Sequence, residues 1–122
     1  MARQLTHRTD WPGDIMGGPY QESPWQPAAD IYRSLTGWLV KFDLAGVRPQ
    51  DIQVTARDHC LMICGVRRDW LIREGHHSHS MEISYNHFRR TIQFPCRIDD
   101  AQMTVEYRDG MLMVRLITEV RP

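Results

Sequence analysis

The chain has 122 residues, enough for one domain and few for two. Hydrophobic residues make up 42% and charged residues 25%, which argues against wholesale disorder. Fifteen basic and fifteen acidic residues cancel to a formal net charge of +0, which leaves no overall field to draw in nucleic acid or an anionic membrane and removes the repulsion that keeps copies apart.

Residues 1–30 hold four of the seven prolines and three of the eight glycines, as in Trp11-Pro12-Gly13 and Gly17-Gly18-Pro19. Proline removes a backbone donor and glycine raises the entropy lost on ordering, so residues 1–24 are expected to form a flexible arm. The arm still carries Leu5, Trp11, Ile15, Met16 and Tyr20, which a purely solvating linker would not need.

From Gly37 onward apolar residues recur at every second position, the pattern of strands with one buried face. Trp38, Val40, Phe42 and Leu44 share a face against Lys41 and Asp43, and Gly46 to Gln50 breaks the run. Ile52, Val54 and Ala56 resume it, and after the turn Arg57-Asp58-His59 a third strand places Leu61 and Ile63 opposite Cys60, Met62 and Cys64, ending at Gly65. Residues 67–81 predict a long polar connection interrupted by Trp70-Leu71-Ile72; loops of this length in a small domain are commonly functional, so the triplet is a candidate contact surface. Phe88, Arg90, Ile92 and Phe94 alternate up to Pro95, and Met103, Val105 and Tyr107 up to Arg108. Asp109-Gly110 is a tight-turn signal, after which Leu112, Val114 and Leu116 form a last strand. Six or seven short strands without convincing helical periodicity predict an all-β, immunoglobulin-like antiparallel sandwich.

Several spaced motifs resemble the α-crystallin domain of the small heat-shock proteins, in a bacterial-type form, over residues 25–117. They are Trp25-x-Pro27-x-x-Asp30-Ile31-Tyr32, the run Phe42 to Val54 around Gly46-Val47-Arg48-Pro49, and Leu61-x-Ile63-x-Gly65-x-Arg67. Glu82-x-x-Tyr85-Asn86-x-Phe88-x-Arg90 with Phe94-Pro95, and Val105-x-x-x-Asp109-Gly110-Met111-Leu112, complete the order. Ala45, Asn86 and Val105 depart mildly from the family's usual proline, glycine and alanine; Asn tolerates positive φ. The end, Ile117 to Pro122, leaves a tail of residues 118–122 without the Ile-x-Ile motif by which relatives dock on a neighbour, so large regular assembly is not the expectation.

The resemblance implies an ATP-independent holdase that binds partly unfolded client proteins and keeps them from aggregating. A holdase needs adaptable apolar surface, which the seven methionines and the arm could supply, although Met62, Met103, Met111 and Met113 equally suit a sandwich core. It further implies a groove for clients or tails lined by Ile52, Val54, Ala56, Met103 and Val105; core packing is the competing reading of each. A loop-swapped homodimer is implied, with Trp70, Leu71 and Ile72 burying near Ile31 and Tyr32 of the other subunit and Arg90 holding domain and dimer; a clasp within one chain is the alternative. Small oligomers or hetero-oligomers are compatible with that dimer. A non-chaperone adaptor that recruits one folded partner is the rival function.

His76, His77 and His79 with His87 or a cysteine fit no recognised ligand spacing, so no metal and no cofactor is expected. Neither Gly-x-Ser-x-Gly nor Gly-x-x-x-x-Gly-Lys occurs, and an enzyme is not expected. No window reaches the roughly 18 apolar residues of a membrane span, the N-terminus lacks a secretory apolar run, and three cysteines form no complete disulfide set. The expected location is the cytoplasm, with neither nucleic acid nor membrane as partner.

Overall fold

The computed structural model describes residues 3–4, 23–69 and 75–118. Among the described residues eight strands run in chain order: β1 (Arg3–Gln4), β2 (Ala29–Arg33), β3 (Gly37–Asp43), β4 (Ile52–Arg57), β5 (Cys60–Arg67), β6 (Asn86–Gln93), β7 (Gln102–Arg108) and β8 (Met111–Ile117), with a short 3-10 turn, η1 (Pro49–Asp51), between β3 and β4. They form a five-stranded sheet of order β1-β7-β8-β3-β2 and a three-stranded sheet β4-β5-β6, antiparallel throughout. The antiparallel sandwich expected from the alternation is therefore the architecture.

Alternation places the core. Val40, Phe42 and Leu44, Val54, Leu61 and Ile63, Phe88, Leu112 and Val114 are all fully buried, in one cluster drawn from both sheets. Burying a side chain of this size stabilises the fold by roughly 1.5–3 kcal/mol. Between β7 and β8, Asp109 (φ 53°) and Gly110 (φ 79°) are both left-handed, which is the backbone of the two-residue hairpin that an Asp-Gly pair favours. Asn86, at φ 71°, sits in the left-handed region that asparagine tolerates.

Two features depart from the sequence reading. β5 does not stop at Gly65 but runs to Arg67. It also buries both faces, with Met62 and Cys64 4% and 1% exposed beside Leu61 and Ile63. It lies between β4 and β6, so pairing strands shield it on both sides. Further, Arg3–Gln4, within the segment expected to lack regular structure, pair in register with Tyr107 and Glu106 on the edge of β7.

The edges of the sandwich follow from one short crossing. Trp25 bridges to Phe88 on β6, and only Gln26, Pro27 and Ala28 separate it from β2. The β6 and β2 edges thus lie on one side of the molecule, and β4 and the β7–β1 edge on the other.

Candidate functional site

The first candidate surface is the slot at the β4 and β7 edges. Ile52, Val54 and Val105 are 4%, 0% and 5% exposed and belong to the core cluster. Ala56 and Met103 pack against that cluster while remaining half-exposed. Of the five side chains assigned to a groove, these two are partly exposed and the other three are buried in the core cluster. Period-two counting could not separate those roles, because a strand edge and a core both use the same inward face. The β7 side of the slot also carries β1, opposite Glu106 and Tyr107.

The second surface is the β2 edge. β2 pairs only with β3 among the described residues, and its side chains are largely outside: Ile31 is 46% and Tyr32 47% exposed, and Leu35 just beyond it 94%. Lys41 Nζ lies 5.0 Å from the Tyr32 ring and the Arg33 guanidinium 5.4 Å from the Trp38 ring, so cations frame the apolar side chains. An exposed apolar edge strand offers unpaired N–H and C=O groups to a strand from elsewhere. Trp70, Leu71 and Ile72, expected to meet it from a second subunit, lie outside the described residues, as do Leu5, Trp11, Ile15, Met16 and Tyr20.

A clasp around Trp25 joins the approach to β2 with the ends of the 68–85 connection. The Trp25 N–H donates to His87 O (3.2 Å), and Trp25 O accepts from Arg89 N–H (3.0 Å). The indole N–H donates to Asn86 O (3.2 Å), and its ring packs 5.3 Å from Phe88. On the other side the Arg67 guanidinium stacks at 4.3 Å while donating to Ser84 O at 2.8 Å. Arg68 adds a two-bond contact to Asp51, at 3.0 and 3.2 Å, which pushes the Arg68 pKa up. The sequence reading placed Trp25 in a motif and missed this role, because its partners are 42 to 64 residues away (67 − 25; 89 − 25).

Arg90 faces inward from β6, as expected, and reaches the rim: its guanidinium donates to Pro27 O at 3.0 Å. This satisfies part of a charge that would otherwise be costly beside Phe88 and Ile92. Pro27 is buried, so Arg90 pins the crossing from β6 to β2 that presents Ile31 and Tyr32.

Tyr107 fixes the β3–β4 connection. Its hydroxyl lies 2.7 Å from both Leu44 O and Val47 O, sharing one proton between two carbonyls. Burial pushes its pKa above the ordinary 10.0, with the positive charge of Arg67 opposing. A phenol with a raised folded pKa contributes stability that is complete below its unfolded pKa and lost as pH rises through the folded value. Tyr107→Phe is expected to cost about 1 kcal/mol at neutral pH, from the lost hydrogen bonding. Above about pH 10 the parent should lose stability more steeply than the variant; parallel denaturation curves against pH would refute this assignment.

Among the described residues no three His, Cys, Asp or Glu side chains converge as a metal site, and His76, His77, His79 and His87 are exposed. No helix among them is long and apolar enough to cross a membrane.

Comparison with known proteins agrees with this fold. The model of the Hsp20/alpha crystallin family matches residues 30–122. Small heat shock protein C2 of Rickettsia felis is 26% identical over 101 residues, covering 80% of this chain and 66% of that protein. Small heat shock protein C4 of the same organism is 25% identical over 97 residues, covering 80% and 60%. The chain therefore spans about two thirds or less of the length of these curated relatives. Among solved structures, hspA from Xanthomonas axonopodis superposes with a TM-score of 0.66 at 27% identity, over 80% of this chain and 97% of that one. A small heat-shock protein from Xylella fastidiosa, described as having a distinct high order structure, gives 0.66 at 25% identity over 82% and 92%.

Proposed function

Because the chain belongs to the Hsp20/alpha crystallin family, we propose that it is an ATP-independent holdase, which binds partly unfolded proteins in the cytoplasm and prevents their aggregation. The observation that carries the reading is the β2 edge, where Ile31, Tyr32 and Leu35 are exposed at 46%, 47% and 94% on and beside a strand without a second neighbour among the described residues. Unfolding clients expose the same kind of apolar segment and strand edge, and such surfaces associate by burial rather than by chemistry. Self-association fits the same edge: the 67–81 connection of a second copy would add a strand to β2, with Trp70, Leu71 and Ile72 against Ile31 and Tyr32 and with Arg90 holding the crossing behind them. The segment carrying Leu5, Trp11, Ile15, Met16 and Tyr20 would supply further client contacts, and the slot beside Ala56 and Met103 would receive extended segments.

The test is direct. An aggregation-prone client is heated with increasing molar ratios of the protein, without nucleotide, and light scattering is followed. Suppression approaching completion near equimolar ratio is expected. No suppression by the folded protein, together with saturable binding of one folded partner, would move the assignment to an adaptor. Ile31→Lys with Tyr32→Lys should shift sedimentation from dimer towards monomer, because two charges on the edge oppose strand addition; an unchanged sedimentation coefficient would exclude this edge from the dimer.

A further inference from the structure

The two edges that flank the slot are not equally open. β4 pairs only with β5 among the described residues, so its outer edge from Ile52 to Ala56 carries no second strand. β7 pairs with β8 along its whole length, from Gln102 to Arg108. On the other edge of β7, β1 takes up one end, with Arg3 opposite Tyr107 and Gln4 opposite Glu106. The ladder stops there: from Gln102 to Val105 that edge has no partner strand among the described residues.

Tyr107 shows which end of the slot β1 closes. Its hydroxyl lies 2.7 Å from both Leu44 O and Val47 O, which sets β1 at the end beside the β3–β4 connection, where η1 leads into Ile52. Ala56 and Met103, the two half-exposed side chains of the slot, each lie four residues along their strands from that end (56 − 52; 107 − 103). One end of the slot is therefore closed by backbone pairing, and the other presents apolar surface.

The closure is short. β1 has two residues and β7 has seven. A strand that pairs along all of β7 needs the main-chain groups that β1 uses at Glu106 and Tyr107, and one edge position does not serve two strands at once. The longer strand wins by forming more of the same bonds, while β8 holds β7 in place throughout.

We propose that β1 is a displaceable stop on the β7 edge, and that an extended segment of another polypeptide displaces it. That segment has the seven-residue length of β7 and apolar side chains at alternate positions, which enter beside Met103 and Ala56 as every second side chain of an added strand does. This rests on the reading of the slot as a receiver of extended segments and adds the control over it. Partner affinity is reduced by the fraction of molecules in which β1 is in place.

The probe is a fluorescein-labelled peptide of alternating threonine and valine, the length of β7, titrated with the full chain and followed by anisotropy. Arg3→Pro with Gln4→Pro removes both backbone donors of β1 and leaves the β7–β8 ladder intact. It should tighten binding by about tenfold, the factor that follows if β1 is in place in about nine molecules of ten. Arg3→Ala with Gln4→Ala keeps the donors and should bind as the parent does. Equal affinities for the parent and the proline variant overturn the proposal and leave the slot reading standing. Equal tightening by the alanine and proline variants also overturns it, because the effect then belongs to lost charge and not to backbone pairing. No binding by any of the three, or binding that Ala56→Asp with Met103→Asp does not abolish in the proline variant, overturns the slot reading together with the proposal. Amide exchange gives a second measurement without peptide. In the proline variant the amide of Glu106 or Tyr107, whichever points to β1, should exchange faster while the Val114 amide in the core does not; unchanged exchange at both overturns the stop.

Discussion

Gly65→Ala is expected to destabilise the domain by about 3 kcal/mol, the upper end of what overpacking a core costs. Gly65 has ordinary strand dihedrals, so the requirement is one of space and not of backbone freedom. A Cβ built there would lie well inside van der Waals contact with the carbonyl oxygen of Asp51, and 2.8 Å from the Phe88 ring. Phe88 is fully buried and packed at a tilt against the Trp25 ring, so the ring has nowhere to retreat. The carbonyl belongs to η1, whose Asp51 side chain also holds Arg68; moving η1 disturbs the start of the 68–85 connection. The entropic gain of replacing glycine in the unfolded chain, roughly 0.4–1 kcal/mol, opposes the effect and does not cancel it. Gly46→Ala is the control. Gly46 stands at φ 80° with nothing within 4 Å of an added Cβ, so it should cost about 1 kcal/mol through backbone strain alone. Denaturant midpoints of the two variants, with equal m-values, would check the ranking. A Gly65→Ala loss no greater than that of Gly46→Ala would mean that η1 shifts freely.

What the sequence made legible and what it did not have separate physical causes. The inward positions Val40, Phe42, Leu112 and Val114 were visible because one buried face and one wet face write themselves into alternation. Asp109-Gly110 was visible because few residue pairs accept two successive positive φ angles. Met62 and Cys64 read as outward residues, and by direction they are, yet both are buried; alternation gives the direction of a side chain and not its exposure. β1 has two residues and no pattern, so its pairing to Glu106 and Tyr107 could be learned only from the fold. β2 was reached through motif resemblance alone, since a strand exposed on both sides, with Ile31, Tyr32 and Arg33 all outside, has no hydrophobic period. The groove assignment was limited differently: Ile52, Val54 and Val105 had the right period, and that period does not distinguish a slot from a core.

Trp25→Ala is expected to lower stability by about 2–3 kcal/mol, below the full cost of deleting a buried aromatic because the ring is half-exposed. Three interactions go together: the tilted contact with Phe88 at 5.3 Å, the Arg67 cation over the ring at 4.3 Å and the indole bond to Asn86 O. The backbone bridge to His87 and Arg89 uses main-chain atoms and needs no indole, so the variant should keep the strand order while freeing the Arg67 side chain. Trp25→Phe separates the contributions. It retains an aromatic face for Phe88 and Arg67 and removes the N–H donor, so it should cost about 1 kcal/mol, the worth of one hydrogen bond, plus a weaker cation–π term. The consequence extends beyond stability, because Arg67 opens the 68–85 connection and Ser84 and Asn86 close it. With the ring gone, both ends of that connection lose their shared anchor, and a loop exchanged between subunits would dock less well. The proposed dimer should then weaken by more in Trp25→Ala than in Tyr107→Phe, which touches a different connection, although both variants lose stability. Sedimentation across a dilution series, run beside thermal unfolding, checks this. Equal dissociation in the two variants would make Trp25 a packing residue alone, with no part in presenting the connection.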